Sequence, residues 1–288
     1  MIIIDYSQTV ISSIMAEMNI KKDNKLEVNL IRHMVLNAIR SYVKEFRKDY
    51  GQEVIIACDS RKYWRKNIFP NYKANRKKYR QESGHDWNII FDTINLLKKE
   101  IEENLPYYLI EIEGAEADDI IATYIQCMKE PNEKVLIISA DHDFMQLHNS
   151  SVDQWSSTKN NFVKCIKDPK QKLFEHIIKG DKGDGIPNVF SDDDSIIDGR
   201  RQRPVHSKKL ELWKKDPTCM PQDSSFVKNY ERNQTLIDLT RIPDDIKNAI
   251  KEKIKFLVTS NKYPSKETLK NYFNEHKLNN MLELIEEF

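Results

Sequence analysis

Residues 134–143 read Lys-Val-Leu-Ile-Ile-Ser-Ala-Asp-His-Asp: an aliphatic run that stops at Ser139 and sets Asp141 and Asp143 just beyond it. A run this short, apolar throughout and rich in β-branched residues, has the pattern of a strand buried on both faces of a parallel sheet. The same order recurs three times. Ile2-Ile3-Ile4 leads to Asp5, Val54-Ile55-Ile56-Ala57-Cys58 leads to Asp59, and the run from Tyr107 to Ile112 leads to Glu116-Ala117-Asp118-Asp119. Helical patterns lie between the runs, at Leu30 to Phe46 and Trp87 to Glu102. In the first of these Leu30, Met34 (with Val35), Ala38 and Tyr42 recur at helical spacing, while Arg32, Arg40, Lys44 and Arg47 fall mostly on other faces. The alternation predicts an α/β fold with a mainly parallel central sheet flanked by helices.

In an open parallel sheet the carboxyl ends of the strands form the ligand crevice, so acids far apart in sequence are expected to meet there. Asp5, Asp59, Glu116, Asp119, Asp141 and Asp143 sit at such ends, and the turn-rich Gly180-Asp181-Lys182-Gly183-Asp184-Gly185-Ile186-Pro187 offers Asp181 and Asp184 from further along the chain. Glu116 and Asp119, at i and i+3, share a helix face, whereas Asp118 diverges unless it lies in the less regular first turn. Acids at a helix start also suit its macrodipole without any ligand. It is the set at equivalent strand ends that argues for a site. Carboxylates held this close repel one another unless they keep protons or bind cations. Hard divalent ions such as Mg2+, which keep several waters, match an all-oxygen set, and two ions roughly 3.5 to 4 Å apart suit phosphodiester hydrolysis. This pattern predicts a metal nuclease, with Mn2+ expected to replace Mg2+.

Composition narrows the alternatives. The chain has 288 residues, 39% hydrophobic and 32% charged, with mean hydropathy −0.67, and no stretch approaches the roughly 20 apolar residues of a membrane span. The start lacks the features of a signal peptide, so a cytoplasmic protein is expected, in the host cell if the chain is phage-encoded. Cys58, Cys127, Cys165 and Cys219 are too scattered for a zinc site and read as reduced thiols. His142 reads as a structural or surface residue, and His85, His148 and His176 show no metal spacing. A formal net charge of +1 hides a strong segregation. Residues 61–80 hold nine basic side chains (Arg61, Lys62, Arg65, Lys66, Lys73, Arg76, Lys77, Lys78 and Arg80) and no acid, interleaved with Tyr63, Trp64, Phe69, Tyr72 and Tyr79. Cations for phosphates and rings for bases suit single-stranded nucleic acid. A second basic cluster comprises Arg200, Arg201, Arg203, Lys208, Lys209, Lys214 and Lys215, while Asp192-Asp193-Asp194 reads as a solvated loop. After residue 180 strand-like runs vanish and helical patterns return at Phe226 to Leu239 and Ile246 to Leu257. The expected division is a metal-dependent core over 1–180, overhung by the basic segment at about 61–87, and a smaller, mostly helical domain over 181–288.

Four ordered motifs carry a resemblance that spans nearly the whole chain: Asp59 with the basic Asn71-Tyr72-Lys73-Ala74-Asn75-Arg76, Glu116-Ala117-Asp118-Asp119, Ser139-Ala140-Asp141-His142-Asp143-Phe144-Met145-Gln146-Leu147, and Gly180 through Pro187. The chain resembles the 5′-nuclease (flap endonuclease) family, which has a PIN-like core, a helical arch and a helical C-terminal domain. Within that family it is most similar to the branch of phage T-even-type ribonucleases H, to which the tail Leu236-Ile237-Asp238 through Ile242-Pro243-Asp244 also corresponds. The resemblance implies a magnesium-dependent 5′-to-3′ exonuclease and flap endonuclease with ribonuclease H activity that removes RNA primers in lagging-strand DNA replication. It implies that Asp5, Asp59, Glu116, Asp118, Asp119, Asp141, Asp143, Asp181 and Asp184 ligate metal or its waters. Lys73 and Arg76 would lie near the scissile phosphate beside the catalytic Asp141. Nucleic acid would meet Arg61, Lys62, Arg65, Tyr72, Lys73, Arg76 and Lys77 on the arch and Arg200, Arg201, Arg203, Lys208 and Lys209 on the second domain. The implied substrates are 5′-flap or nicked duplex DNA and RNA–DNA hybrids, with a single-stranded-DNA-binding protein as partner; separately from the resemblance, a monomer is expected. Where the family usually carries a glycine-rich hairpin after its second-domain acids, with or without a potassium ion, this chain has Val189-Phe190-Ser191-Asp192-Asp193-Asp194, so side-chain contacts to phosphate are expected instead. Two other readings use the same residues: a PIN-like single-strand ribonuclease, which the cluster at 200–215 disfavours, and a non-catalytic DNA-binding replication scaffold, which the intact acids disfavour.

Overall fold

All four aliphatic runs form neighbouring strands of one sheet. The computed structural model describes residues 1–21, 26–164, 168–260 and 264–288; Cys165 lies outside them. In chain order the elements are β1 (Ile2–Asp5), α1 (Tyr6–Lys21), α2 (Val28–Tyr50), β2 (Val54–Cys58), α3 (Trp64–Ile68), α4 (Asn75–Glu82), α5 (Trp87–Asn104), β3 (Tyr108–Glu111), α6 (Ala117–Cys127), β4 (Val135–Ile138), β5 (Val152–Ser156), β6 (Asn161–Phe162), α7 (Pro169–Lys179), α8 (Ser207–Lys215), α9 (Ser224–Ile237), α10 (Asp244–Ser260), α11 (Lys266–Glu275) and α12 (Asn279–Glu283). No described helix is long and apolar enough to cross a membrane.

The sheet order is β3-β2-β1-β4-β5-β6. β1 pairs in parallel with β2 on one side and β4 on the other, and only β6 runs antiparallel. The chain builds outward from β1 to β3, then returns to β1's other edge with β4. That reversal creates the crevice at the carboxyl ends of β1 and β4 where such sheets take ligands. Ile2, Ile4, Val54, Ile56, Leu136 and Ile138 share one core cluster with α1, α2 and α5. The intervening Ile3, Ile55 and Ile137 are equally buried, and α6 packs on β1 and β2. Each such side chain contributes about 1.5–3 kcal/mol by leaving water.

Three expectations are corrected. The apolar stripe of α2 that faces the core is Ile31, Val35, Ile39, Val43 and Phe46, one residue on from the expected Leu30, Met34, Ala38 and Tyr42. The turn brings larger aliphatics inward and buries Arg32, which meets both oxygens of Glu100 at 2.7 Å. β5 was not foreseen, because Asp153 and Gln154 interrupt its run; Gln154 is nevertheless buried. The division at residue 180 also differs from the compact units, which are Met1–Ser60 with Asp86–Cys165 and Asp245–Phe288, and Arg61–His85 with Ile166–Asp244. The C-terminal helices return to the first unit because Leu269, Tyr272, Phe273 and Met281 complete its core. The basic segment belongs to the second unit, where Phe69 and Tyr72 pack with Ile177, Ile186, Leu236 and Ile237.

Candidate active site

Asp5 ends β1 at the reversal point, only 9% exposed. Its Oδ1 accepts the Gln8 N–H at 3.1 Å and its Oδ2 the Ser139 hydroxyl at 3.0 Å. Ser139 Oγ in turn accepts the Asp141 N–H at 3.1 Å, and the Ala140 N–H reaches Gln8 Oε1 at 2.7 Å. Gln154 holds this turn from behind, its amide donating to the carbonyls of Ser139 at 2.8 Å and Asp141 at 2.7 Å, with its own oxygen against His148. The lattice fixes the peptides after β4 relative to the end of β1. Burial first, then the charges of Asp59 and Asp141, push the Asp5 carboxyl up to about 7. The charges of Asp59 and Asp141, at the ends of β2 and β4, thus both act on Asp5 at the end of β1.

The other acids of this unit take distinct places. Asp59 Oδ1 accepts the Ala117 N–H at 2.9 Å and so ties the end of β2 to the start of α6. Glu116 and Asp119 form a reciprocal capping box at that start, the Glu116 N–H reaching Asp119 Oδ2 at 2.9 Å. Both side chains are buried. The i, i+3 pair thus faces across the first turn, satisfying helix donors, and Asp118 lies in that same turn. Asp141 caps the short 3-10 turn His142–Leu147 through the Asp143 N–H at 2.9 Å. Asp141 and His142 are exposed and Asp143 half-buried.

In the second unit, α7 ends at Gly180, whose φ is +67° and where a Cβ would stand 2.4 Å from the Ile186 carbonyl oxygen. Only glycine closes this turn. Asp181 Oδ1 accepts the Asp184 N–H at 2.9 Å, and its Oδ2 lies 3.1 Å from His176 Nε2. Burial works to raise the Asp181 carboxyl, but these contacts outweigh it and hold it below the ordinary range. His176 was not foreseen as a partner of Asp181; the pairing runs across a helix C-terminus, where metal-type spacing gives no signal. Asp184 instead faces Tyr72, Lys73 and Arg76 of the basic segment.

Two expected nucleic-acid contacts on the basic segment are corrected. Arg65 is buried, its Nε donating to the Leu236 carbonyl at 2.9 Å and its guanidinium 4.5 Å from the Trp64 ring centre. Tyr72 is likewise buried, so its ring fills the unit's core and cannot stack on a base. Arg61, Lys62, Arg76 and Lys77 are exposed. Arg200 pairs with Asp192, Asp194 and Asp198. The Asp192-Asp193-Asp194 run is therefore not merely solvated, since Asp193 also pairs with Arg232 and Lys228. Arg201, Arg203, Lys208 and Lys209 are exposed.

Comparison with known proteins agrees with this arrangement. Residues 1–175 match the family of 5′-3′ exonuclease N-terminal resolvase-like domains, and residues 168–288 match the C-terminal domain of T4 RNase H. The chain is 31% identical to the ribonuclease H of Enterobacteria phage T4 over 99% of its own length and 95% of that protein. It is 27% identical to the flap endonuclease Xni of Shewanella sediminis, over 62% and 68% of the two chains. Among solved structures, the bacteriophage T5 D15 flap endonuclease, in a complex with DNA and metal ions, superposes with a TM-score of 0.65 at 18% identity, covering 90% of this chain and 98% of that one. The chain belongs to the 5′-3′ exonuclease family, and its C-terminal half is that of the T4 RNase H branch. It is a nuclease enzyme with the PIN-like flap-nuclease fold.

Proposed function

We propose that this chain is a magnesium-dependent 5′-to-3′ exonuclease and flap endonuclease with ribonuclease H activity, removing RNA primers from RNA–DNA hybrids in lagging-strand replication. The observation that carries the reading is the buried Asp5 carboxyl at the β1/β4 reversal, on which the charges of Asp59 and Asp141 act. This carboxyl, pushed up to about 7 by burial and then by those charges, is one that a neighbouring cation would favour in its ionised form. The donor set fits a hard divalent ion, because every converging group is a carboxylate. Asp5, Asp59, Asp118, Asp141 and Asp143, with Glu116, are the proposed ligands from the first unit, directly or through water. Asp181 is proposed from its motif in the second. Asp119 fits the set by keeping Glu116 in register at the head of α6. When bound, such ions lower the pKa of water and stabilise the departing oxygen of a phosphodiester.

The residues of the chain do the rest. Ser139, Gln8 and Gln154 hold Asp5 and the Asp141 turn rigid, which preserves the approach geometry. By their motif Lys73 and Arg76 are proposed to meet the phosphate, and no protein nucleophile is required. Arg61, Lys62 and Lys77 supply the electrostatic track for a 5′ strand, and Arg201, Arg203, Lys208 and Lys209 a second surface for duplex phosphates. A single-stranded-DNA-binding protein as partner, a monomeric state and a cytoplasmic location complete the proposal. The test uses 5′-labelled RNA–DNA hybrid and 5′-flap duplex, each with Mg2+ or with EDTA, beside a 3′-labelled control. Short products released from the 5′ end only with Mg2+, and absent with Asp141→Asn, support the reading. Cleavage in EDTA, or of single-stranded RNA alone, contradicts it.

A further inference from the structure

Two aspartates three residues apart in one loop have opposite surroundings, and the difference separates their roles. Asp181 faces His176 and a backbone N–H. Asp184 faces a phenol and two cations: Tyr72 donates to Oδ2 at 2.9 Å, Arg76 to Oδ1 at 2.6 Å, and Lys73 Nζ lies 3.7 Å from Oδ2. Both oxygens are thus already engaged. Resting on the reading above, we propose that Asp184 is the positioning residue of the basic segment, holding Lys73 and Arg76 for the substrate phosphate, and that it does not ligate metal.

The backbone is built around the same contact. The Lys73 N–H donates to the Asp184 carbonyl at 2.7 Å, and Asn75 Nδ2 donates to the carbonyls of Lys182 at 2.9 Å and Gly183 at 3.3 Å. Lys73 adopts a left-handed φ of +55°, uncommon for a residue with a long side chain. This conformation directs its ammonium over the rings of Tyr63 and Tyr72, at 5.4 and 5.0 Å from their centres. Gly185, with φ +74°, permits the close approach, since a Cβ there would stand 3.0 Å from the Asn71 carbonyl oxygen. The side chains of Lys73 and Asp184 are only 12% and 18% exposed, so solvent screens their attraction less than at an open surface. Arg76 is 44% exposed. Its guanidinium presents five donors, more than one carboxylate oxygen uses.

A carboxylate matched by two cations offers a divalent ion little further attraction, whereas Asp181 faces neither of these cations. The test compares Asp184→Asn with Asp181→Asn in the full chain, using three readouts. Limited trypsin digestion reports the opening of the segment through cleavage after Lys73, Arg76 and Lys77. With Asp184→Asn that cleavage is expected to quicken about fivefold or more, and with Asp181→Asn to stay at the wild-type rate. Calorimetric titration with Mn2+ is expected to change less than about twofold for Asp184→Asn and to weaken about tenfold or more for Asp181→Asn. Cleavage of RNA–DNA hybrid by Asp184→Asn should lose kcat/KM. Gly185→Ala, which removes no charge, should reproduce the trypsin result. Unchanged protection in both Asp184→Asn and Gly185→Ala overturns the proposal, as does a tenfold loss of Mn2+ affinity in Asp184→Asn. Trypsin and calorimetry do not depend on nuclease activity. An inactive wild type would therefore sink the functional reading and leave this test standing.

Discussion

Asp5 closes β1 with its carboxylate out of water and two further acids nearby, and its titration carries the sign of that arrangement. Its ordinary value is 3.8 and burial with Asp59 and Asp141 lifts it to about 7. Between those values the folded, metal-free chain holds a proton that the unfolded chain does not. Stability from this group therefore falls as pH rises through the window, and the loss is complete above it. Asp5→Asn in EDTA should stabilise the chain at pH 8 by on the order of 3 kcal/mol and change little at pH 4, as read by urea unfolding. A variant no more stable than wild type at pH 8 contradicts the buried, crowded carboxylate. Asp141 differs: it is exposed, so Asp141→Asn should abolish cleavage while leaving the midpoint of unfolding within a degree or two. The positions of these acids were legible because each follows an aliphatic run. The partners that aim them were not. Ser139, Gln8 and Gln154 reach Asp5 or its turn from three separate segments, and a polar side chain gives no sign in sequence of which distant group it will bond.

At the scale of elements, the buried contact of α2, α5 and α11 is the most demanding. Arg32 grips both oxygens of Glu100, and the Tyr272 hydroxyl donates to the same carboxylate at 2.7 Å. Burial alone would raise the Glu100 carboxyl, yet Arg32 and Tyr272 outweigh it and hold it below its ordinary range. Its contribution is therefore full above the ordinary carboxylate value and lost as pH falls through the lower, folded one, the opposite slope to that of Asp5. Glu100→Ala strands a buried guanidinium and should destabilise the chain by about 3–5 kcal/mol, measured by denaturant unfolding at pH 7. Tyr272→Phe should lose about 1 kcal/mol. A loss below about 1 kcal/mol in Glu100→Ala would mean Arg32 escapes to solvent. The sequence assigned Arg32 to an outer face because an isolated arginine has no reason to enter a core. Its partner lies on another helix 68 residues away. The same blindness explains the rotated face of α2: two apolar stripes run along it, and only the neighbours it meets select between them.

For the whole molecule, the order of strands and acids was readable because a parallel sheet leaves a repeated imprint, a run and then a carboxylate. The division into units was not, because a chain can leave a core and come back. Leu269, Tyr272, Phe273 and Met281 return to the core begun by Ile2 and Ile4. Ending the chain after residue 260 should therefore unfold the first unit, not merely weaken nucleic-acid binding, which circular dichroism melting would show as a lost or lowered transition. A truncated chain with an unchanged melt contradicts that packing. Arg200 shows the limit for charge: its pairing with Asp192, Asp194 and Asp198 is not visible in a count of basic residues. Whether Asp5, Asp59 and Asp141 form a divalent-cation site is decided by calorimetric titration of the full chain with Mn2+ at pH 6 and pH 8. Binding that tightens at pH 8, as Asp5 gives up its proton, and that weakens about tenfold or more in Asp141→Asn is the predicted result. Binding indifferent to both pH and Asp141→Asn, or no binding at all, contradicts it.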